Sequence, residues 1–222
     1  MRTETSETTL PATFANRAHA GRLLATALAP WRASNPIVLA LPRGGVPVAV
    51  PIAEALGAQL DVLVVRKLGV PSNPEFGMGA IVEDGTIVLE PSVVTMVGLD
   101  ETTVKRISED ESREARRRVE RYRAGHPLPS VAGRTVILVD DGVATGGTAR
   151  AAARAVRRAG AKKVVLAVPV AAAESVVRLE TEVDDLVALK RPHGLGAVGD
   201  WYDDFSQVSD QDVVTALRAA GR

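Results

Sequence analysis

The chain has 222 residues and no cysteine; one large domain of this size buries a core without metal or disulfide, and cysteine-zinc sites, iron–sulfur clusters and a cysteine nucleophile are excluded. Its 27 Lys and Arg balance 27 Asp and Glu, so neither nucleic acid nor an anionic membrane is an expected partner. The polar start from Met1 to Thr9 lacks a signal peptide's apolar stretch, and no segment approaches the ~20 apolar residues of a membrane span, so a soluble, cytoplasmic protein is expected.

Aromatic residues make up only 3% of the chain, and small and branched aliphatics suit helices packed on a buried parallel sheet. Phe14 to Leu28 is predicted to form an amphipathic helix. Ile37 to Leu41 is an unbroken apolar run and reads as a buried strand, as does Val62-Leu63-Val64-Val65. Between them Val46 to Leu56 is helical and closed by Gly57. Leu68 to Gly77 is rich in turn formers. Gly79 to Glu83 and Thr86 to Glu90 flank Asp84-Gly85, a hairpin signal. Asp100 to Ala124 is a charged helix with Glu109/Arg113 and Glu114/Arg118 one turn apart; its interleaved arginines read as a solvated face. Strands Val136–Val139 and Val164–Val168 flank a helix from Thr148 to Ala159, closed by Gly160. Leu186 to Leu189 is a fifth strand, and Asp210 to Ala220 a closing helix. Strand–helix–strand, repeated, implies an α/β fold: an open parallel sheet with flanking helices, right-handed crossovers and a mid-chain hairpin/helix insertion. With no linker or repeat, residues 1–222 read as a single domain with its core at about 35–190.

The chemistry concentrates between Val136 and Thr148. An apolar strand ends in Asp140 and Asp141, the small-residue loop Gly142-Val143-Ala144-Thr145-Gly146-Gly147 follows, and a helix begins at Thr148. Ligands of open parallel sheets sit beyond the carboxyl ends of strands. Bare peptide N–H groups at a helix N-terminus receive a phosphate, and Thr145 and Thr148 add hydroxyls. Such a loop beside two acids suits a ligand with a phosphate at one end and hydroxyls, or a magnesium ion, nearby; a sugar phosphate fits. The glycine spacing is near that of a Walker loop, but Thr148 stands where lysine is required. The scattered His19, His126 and His193 have no metal-ligand spacing, no Gly-x-Ser-x-Gly elbow is present, and adjacent, late acids argue against a haloacid-type hydrolase.

This passage resembles the signature of the type I phosphoribosyltransferases: apolar strand, two acids, Thr/Gly-rich loop. The resemblance implies that Asp140 and Asp141 hold the ribose hydroxyls of phosphoribosyl pyrophosphate (PRPP), directly or with Mg²⁺ as cofactor, through water where needed. It implies that Ala144, Thr145, Gly146, Gly147 and Thr148 cradle the 5′-phosphate. Leu41-Pro42-Arg43-Gly44-Gly45 looks like the family's pyrophosphate loop, with Arg43 as a bidentate donor and Gly44 and Gly45 allowing strained backbone. Arg66-Lys67 is similar to the adenine-type enzymes: Arg66 is assigned to pyrophosphate, Lys67 to neutralising it as it leaves, and Glu75 to a lid carboxylate in the mobile stretch Leu68–Gly77.

The family's acceptor-binding hood lies near the chain ends, here about 10–30 and 191–222. Phe14-Ala15-Asn16-Arg17 would complete it from one side. From the other, Trp201, Tyr202 or Phe205 would stack on a flat heterocycle, or else clasp the tail to the N-terminal helix. Lys190, placed to meet a ring oxygen, slightly favours a 6-oxopurine acceptor over other purine or pyrimidine bases. The implied activity is transfer of ribose 5-phosphate from PRPP to a nitrogen acceptor with release of pyrophosphate. The competing reading is a non-catalytic PRPP or nucleotide sensor, since one fold hosts both roles. A homodimer is compatible with either reading, but no residue pattern demonstrates it.

Overall fold

Strands read from unbroken apolar runs are covered on both faces in the computed structural model, which describes residues 10–71 and 73–221, with backbone alone for 73–76. Strands β1 (Ile37–Ala40), β2 (Gln59–Val62), β6 (Thr135–Val139), β7 (Lys163–Val170) and β8 (Asp185–Lys190) form one parallel sheet in the order β2-β1-β6-β7-β8. Side chains alternate between its faces. Ile37, Leu39, Val136 and Leu138 join one cluster with α5 (Gly147–Arg158). Val38, Ala40, Ile137 and Val139 join another with α2 (Gly45–Leu56) and α1 (Arg17–Ala27). Both faces are therefore apolar, which is why these strands show no alternation in sequence. The buried face of α5 is mostly alanine, so the helix lies close on the sheet.

The mid-chain insertion is a second, antiparallel sheet: β3 (Val65–Val70), β4 (Asn73–Val82) and β5 (Ile87–Leu89). Helices α3 (Pro91–Val97) and α4 (Glu101–Arg123) follow, Asp100 capping α4 through the Thr103 N–H at 2.6 Å. Two expectations are corrected here. The run Val62–Val65 is not one strand: β2 ends at Val62, and Val65 opens β3 in the other sheet. The chain changes sheets inside an apolar run because both sheets bury it. Leu68–Gly77 is not a loop either, since β3 and β4 continue across it as a hairpin turning after Val70.

Buried charges lock the crossover between sheets. Arg123, 4% exposed, pairs with Glu83 and lies 3.9 Å from Asp61 Oδ1 on β2, while Glu83 accepts the Val64 N–H at 2.8 Å. Buried charges persist when paired in this way. On the exposed side of α4, Glu114 pairs with Arg117 and Arg118, whereas Arg113 pairs with Asp110 rather than with Glu109. The chain ends close on each other: Phe14 N–H donates to the Trp201 carbonyl at 2.8 Å, and Asp203 N–H to the Phe14 carbonyl at 2.9 Å. Helices α6 (Ala173–Leu179) and α7 (Asp210–Ala219) complete the layers. Among the described residues no helix is long and apolar enough to cross a membrane.

Candidate active site

From β1 the chain steps to β2 on one side, and from β6 to β7 and β8 on the other. Successive loops therefore part between β1 and β6, which opens a crevice at their carboxyl ends. One wall is the Leu41–Gly45 turn, tied down by Leu41 N–H to the Val139 carbonyl at 2.8 Å. The Pro42–Arg43 peptide in this turn is cis. Gly44 has φ −61° and ψ −32°, an ordinary right-handed conformation, so no positive φ calls for glycine at this position. Glycine is needed here for closeness. A Cβ on Gly44 would overlap Asp141 Oδ2 and lie 2.5 Å from its Cγ, and one on Gly45 would lie 2.5 Å from the Val139 carbonyl oxygen.

The opposite wall carries the acids. Asp141 accepts from Arg17 Nε at 2.8 Å, and Arg17 Nη1 also donates to the Ser206 carbonyl at 2.8 Å. Tyr202 OH donates to the Asp141 carbonyl at 2.5 Å, and Asp141 N–H to Asp140 Oδ1 at 2.9 Å. Burial raises the pKa of both acids; the Asp141 charge pushes Asp140 higher, while Arg17 opposes the rise at Asp141. Burial, with Asp141 beside it, also raises the Tyr202 hydroxyl, so it stays a donor.

Beyond the acids, Val143 N–H donates to Val170 and Ala172 N–H returns to Val143, at 2.9 and 2.8 Å. Ser175 Oγ reaches the Ala144 carbonyl at 2.5 Å. The loop is thus held from outside while its inner edge faces the crevice. Gly146, at φ +81°, caps α5 in the left-handed region where glycine is at ease, and no side chain caps the helix. The first-turn N–H groups of α5 therefore have no capping side chain to accept from them. A Cβ on Gly147 would meet nothing within 4 Å. A cavity of about 320 Å³ lies there, lined by Thr145, Gly147, Thr148 and Lys67.

A second cavity of about 450 Å³ is lined by Arg17, Arg43, Gly44, Arg66, Asp141 and Phe205, among others. Arg66 Nε lies 2.7 Å from Glu111, and Arg43 Nη1 3.9 Å from Asp210. Arg66 and Lys67, adjacent on β3, have partly different surroundings: Arg66 lines this cavity with Arg43, Lys67 lines the one at Thr145, Gly147 and Thr148, and both line a third beside α4. Neither of the first two cavities is lined by Lys190, Trp201 or Tyr202, the residues expected at the acceptor. Lys190 Nζ donates to the carbonyls of Pro11 and Ala12 and sits 5.3 Å from the Trp201 ring centre. Tyr202 is 6% exposed and packs on Phe14, 5.5 Å between ring centres. Phe205 is the aromatic that lines the crevice, with the Arg17 guanidinium 3.7 Å from its ring centre. The Glu75 side chain lies outside the described residues.

Arg17 was legible only as part of a hood segment. Its partner Asp141 is 124 residues away, and no spacing rule spans that distance. For metal, no group of three or more His, Cys, Asp or Glu gathers among the described residues. The Asp140–Asp141 pair supplies two hard-oxygen ligands, which fits a magnesium ion completing its shell with water and substrate phosphates.

The phosphoribosyl transferase domain family matches residues 14–193, and the chain belongs to that family. A Mycobacterium tuberculosis (strain H37Rv) protein provisionally named phosphoribosyl transferase is 47% identical over 209 residues, 94% of this chain and 47% of its own length. The chain therefore spans about half the length of the curated relatives it matches. The crystal structure of TT1426 from Thermus thermophilus has a TM-score of 0.79 at 47% identity, covering 92% of this chain and 97% of that one. The AQ2163 protein from Aquifex aeolicus, at 14% identity and TM-score 0.52 over 91% of this chain and 85% of its own, shares the fold.

Proposed function

We propose that this chain transfers ribose 5-phosphate from PRPP to a nitrogen acceptor, with release of pyrophosphate. The observation that carries the reading is the uncapped Gly146–Gly147 turn opening onto a cavity at the N-terminus of α5, at the same strand ends as Asp140 and Asp141. The Ala144–Thr148 loop holds the 5′-phosphate through peptide N–H groups and the Thr145 and Thr148 hydroxyls. Asp140 and Asp141 bind the ribose hydroxyls and stabilise positive charge developing on the ring. Arg43 and Arg66, with the peptide groups of Gly44 and Gly45, receive the pyrophosphate. The acceptor nitrogen forms a bond to C1 as the C1–O bond breaks; pyrophosphate leaves with the electron pair, and the acceptor's proton passes to solvent. No protein nucleophile is required. Magnesium, when bound by Asp140 and Asp141, offsets charge on the leaving pyrophosphate. Lys67 adds a cation to the phosphate side of the crevice, and the hairpin carrying Glu75 lies over that side. With Lys190 drawn away to Pro11 and Ala12, the preference for a 6-oxopurine loses its support; Arg17 and Phe205 are the groups that meet the acceptor.

One observation favours a regulatory protein that binds PRPP without turnover: Asp141 is already engaged by Arg17 at 2.8 Å. Calorimetry with magnesium–PRPP, followed by a pyrophosphate-release assay over purine and pyrimidine bases, separates the readings. Binding with release supports the transferase, and binding without release for any base supports the sensor. No binding refutes both.

A further inference from the structure

The phosphate pocket has a side-chain cation that no sequence signature marks. The cavity beside Thr145, Gly147 and Thr148 is also lined by Arg178, near the end of α6. The next residue, Leu179, packs under the loop, its Cδ1 3.2 Å from where a Gly146 Cβ would stand. That packing fixes the end of α6 against the turn. Neighbouring arginines are committed to acids: Arg150 to Glu90, Arg154 to Glu182, Arg157 to Asp184 and Arg191 to Glu180. Arg178 has no hydrogen-bonding or ionic partner for its guanidinium among the described residues. Glu90, the carboxylate lining the same cavity, is occupied by Arg150. Among the described residues, no acid lining the cavity is left to pair with Arg178, so its charge faces a space that an anion can enter.

We propose that Arg178 is a further phosphate-binding residue, donating to the oxygens of the 5′-phosphate that the Ala144–Thr148 loop holds. The inference rests on the reading of that loop as a sugar 5′-phosphate site. A guanidinium suits the role: its planar fork donates to two phosphate oxygens at once, and it stays charged at every working pH. Lying on α6, outside the signature, Arg178 acts on the 5′-phosphate end of the donor and not on the pyrophosphate end at Arg43 and Gly44.

The test is calorimetry on the whole chain with two probes, ribose 5-phosphate and inorganic pyrophosphate, for wild type, Arg178→Ala and Arg178→Lys. Thermal melting confirms that each variant is folded. Loss of a hydrogen bond to a charged group predicts about 10- to 100-fold weaker ribose 5-phosphate binding in Arg178→Ala. Lysine restores the charge without the fork and recovers part of the loss, and pyrophosphate affinity is unchanged in both variants. Wild-type ribose 5-phosphate affinity in Arg178→Ala overturns the proposal, and so does an equal loss for both probes. Failure of the wild type to bind ribose 5-phosphate overturns the reading of the loop, and Arg178 falls with it.

Discussion

Replacing Gly44 with alanine is a local test of the crevice. The added Cβ overlaps Asp141 Oδ2, lies 2.5 Å from Cγ and 3.1 Å from Oδ1. Ordinary carbon contacts are about 3.5 Å or more, so the carboxylate must retreat by about 1 Å. Retreat disrupts the 2.8 Å bond from Arg17 Nε, a charge-assisted bond contributing about 1.5–3 kcal/mol. The backbone itself accepts alanine, because φ −61° and ψ −32° are ordinary values, and alanine narrows the unfolded ensemble by about 0.4–1 kcal/mol. The net stability loss is therefore small, about 1–2 kcal/mol on these principles. The functional loss is larger: displacing a reacting group by about 1 Å costs on the order of 100-fold. Turnover is read by pyrophosphate release, donor affinity by calorimetry and folding by thermal melting. A folded Gly44→Ala protein with wild-type turnover and donor affinity refutes the placement of Asp141 against the donor ribose.

Three further outcomes are expected. Gly147→Ala meets no atom within 4 Å and narrows the unfolded ensemble, so its melting temperature is at or slightly above that of the wild type, while its methyl group occupies the phosphate's space and weakens ribose 5-phosphate binding in calorimetry; unchanged affinity places the phosphate elsewhere. Tyr202→Phe removes the 2.5 Å bond to the Asp141 carbonyl, costing about 1–2 kcal/mol and lowering the melting temperature by about 2–8 °C; an unchanged melt shows that water replaces the hydroxyl. The hydrogen bonds from Arg117 and Arg118 lower the Glu114 carboxyl from 4.5 to about 2. A depressed carboxylate stabilises fully above its unfolded pKa and stops doing so as pH falls through the folded value. Wild type therefore exceeds Glu114→Gln by about 1 kcal/mol above roughly pH 5, a figure kept small by solvent at this partly exposed pair, and the gap closes towards pH 2. Denaturant titration at both pH values checks this; a gap that persists at the acid end refutes the ion-pair origin.

The parallel sheet, its covering helices and the loop after β6 were legible in the string of residues because their causes are local. A strand buried on both faces must be apolar at every position, as Val136–Val139 is. A helix whose first turn is to stay open needs glycine at Gly146, and the long α4 announces itself by its charges and its cap at Asp100. The crossing of Val62–Val65 between two sheets was not legible, because both sheets ask the same apolar residues of it. Nor was the extension of β3 and β4 through Leu68–Gly77, where ladder bonds across the hairpin outweigh turn-forming composition.

Which charges face the crevice was decided by chain closure. Lys190 is drawn to the Pro11 and Ala12 carbonyls, Tyr202 faces inward against Phe14, and Arg17 reaches Asp141 across most of the sequence. Periodicity and backbone preference act over a few residues and leave their mark in the string of letters. A long side chain's partner depends on which distant segments are brought within about 3 Å, and only the packed chain settles that.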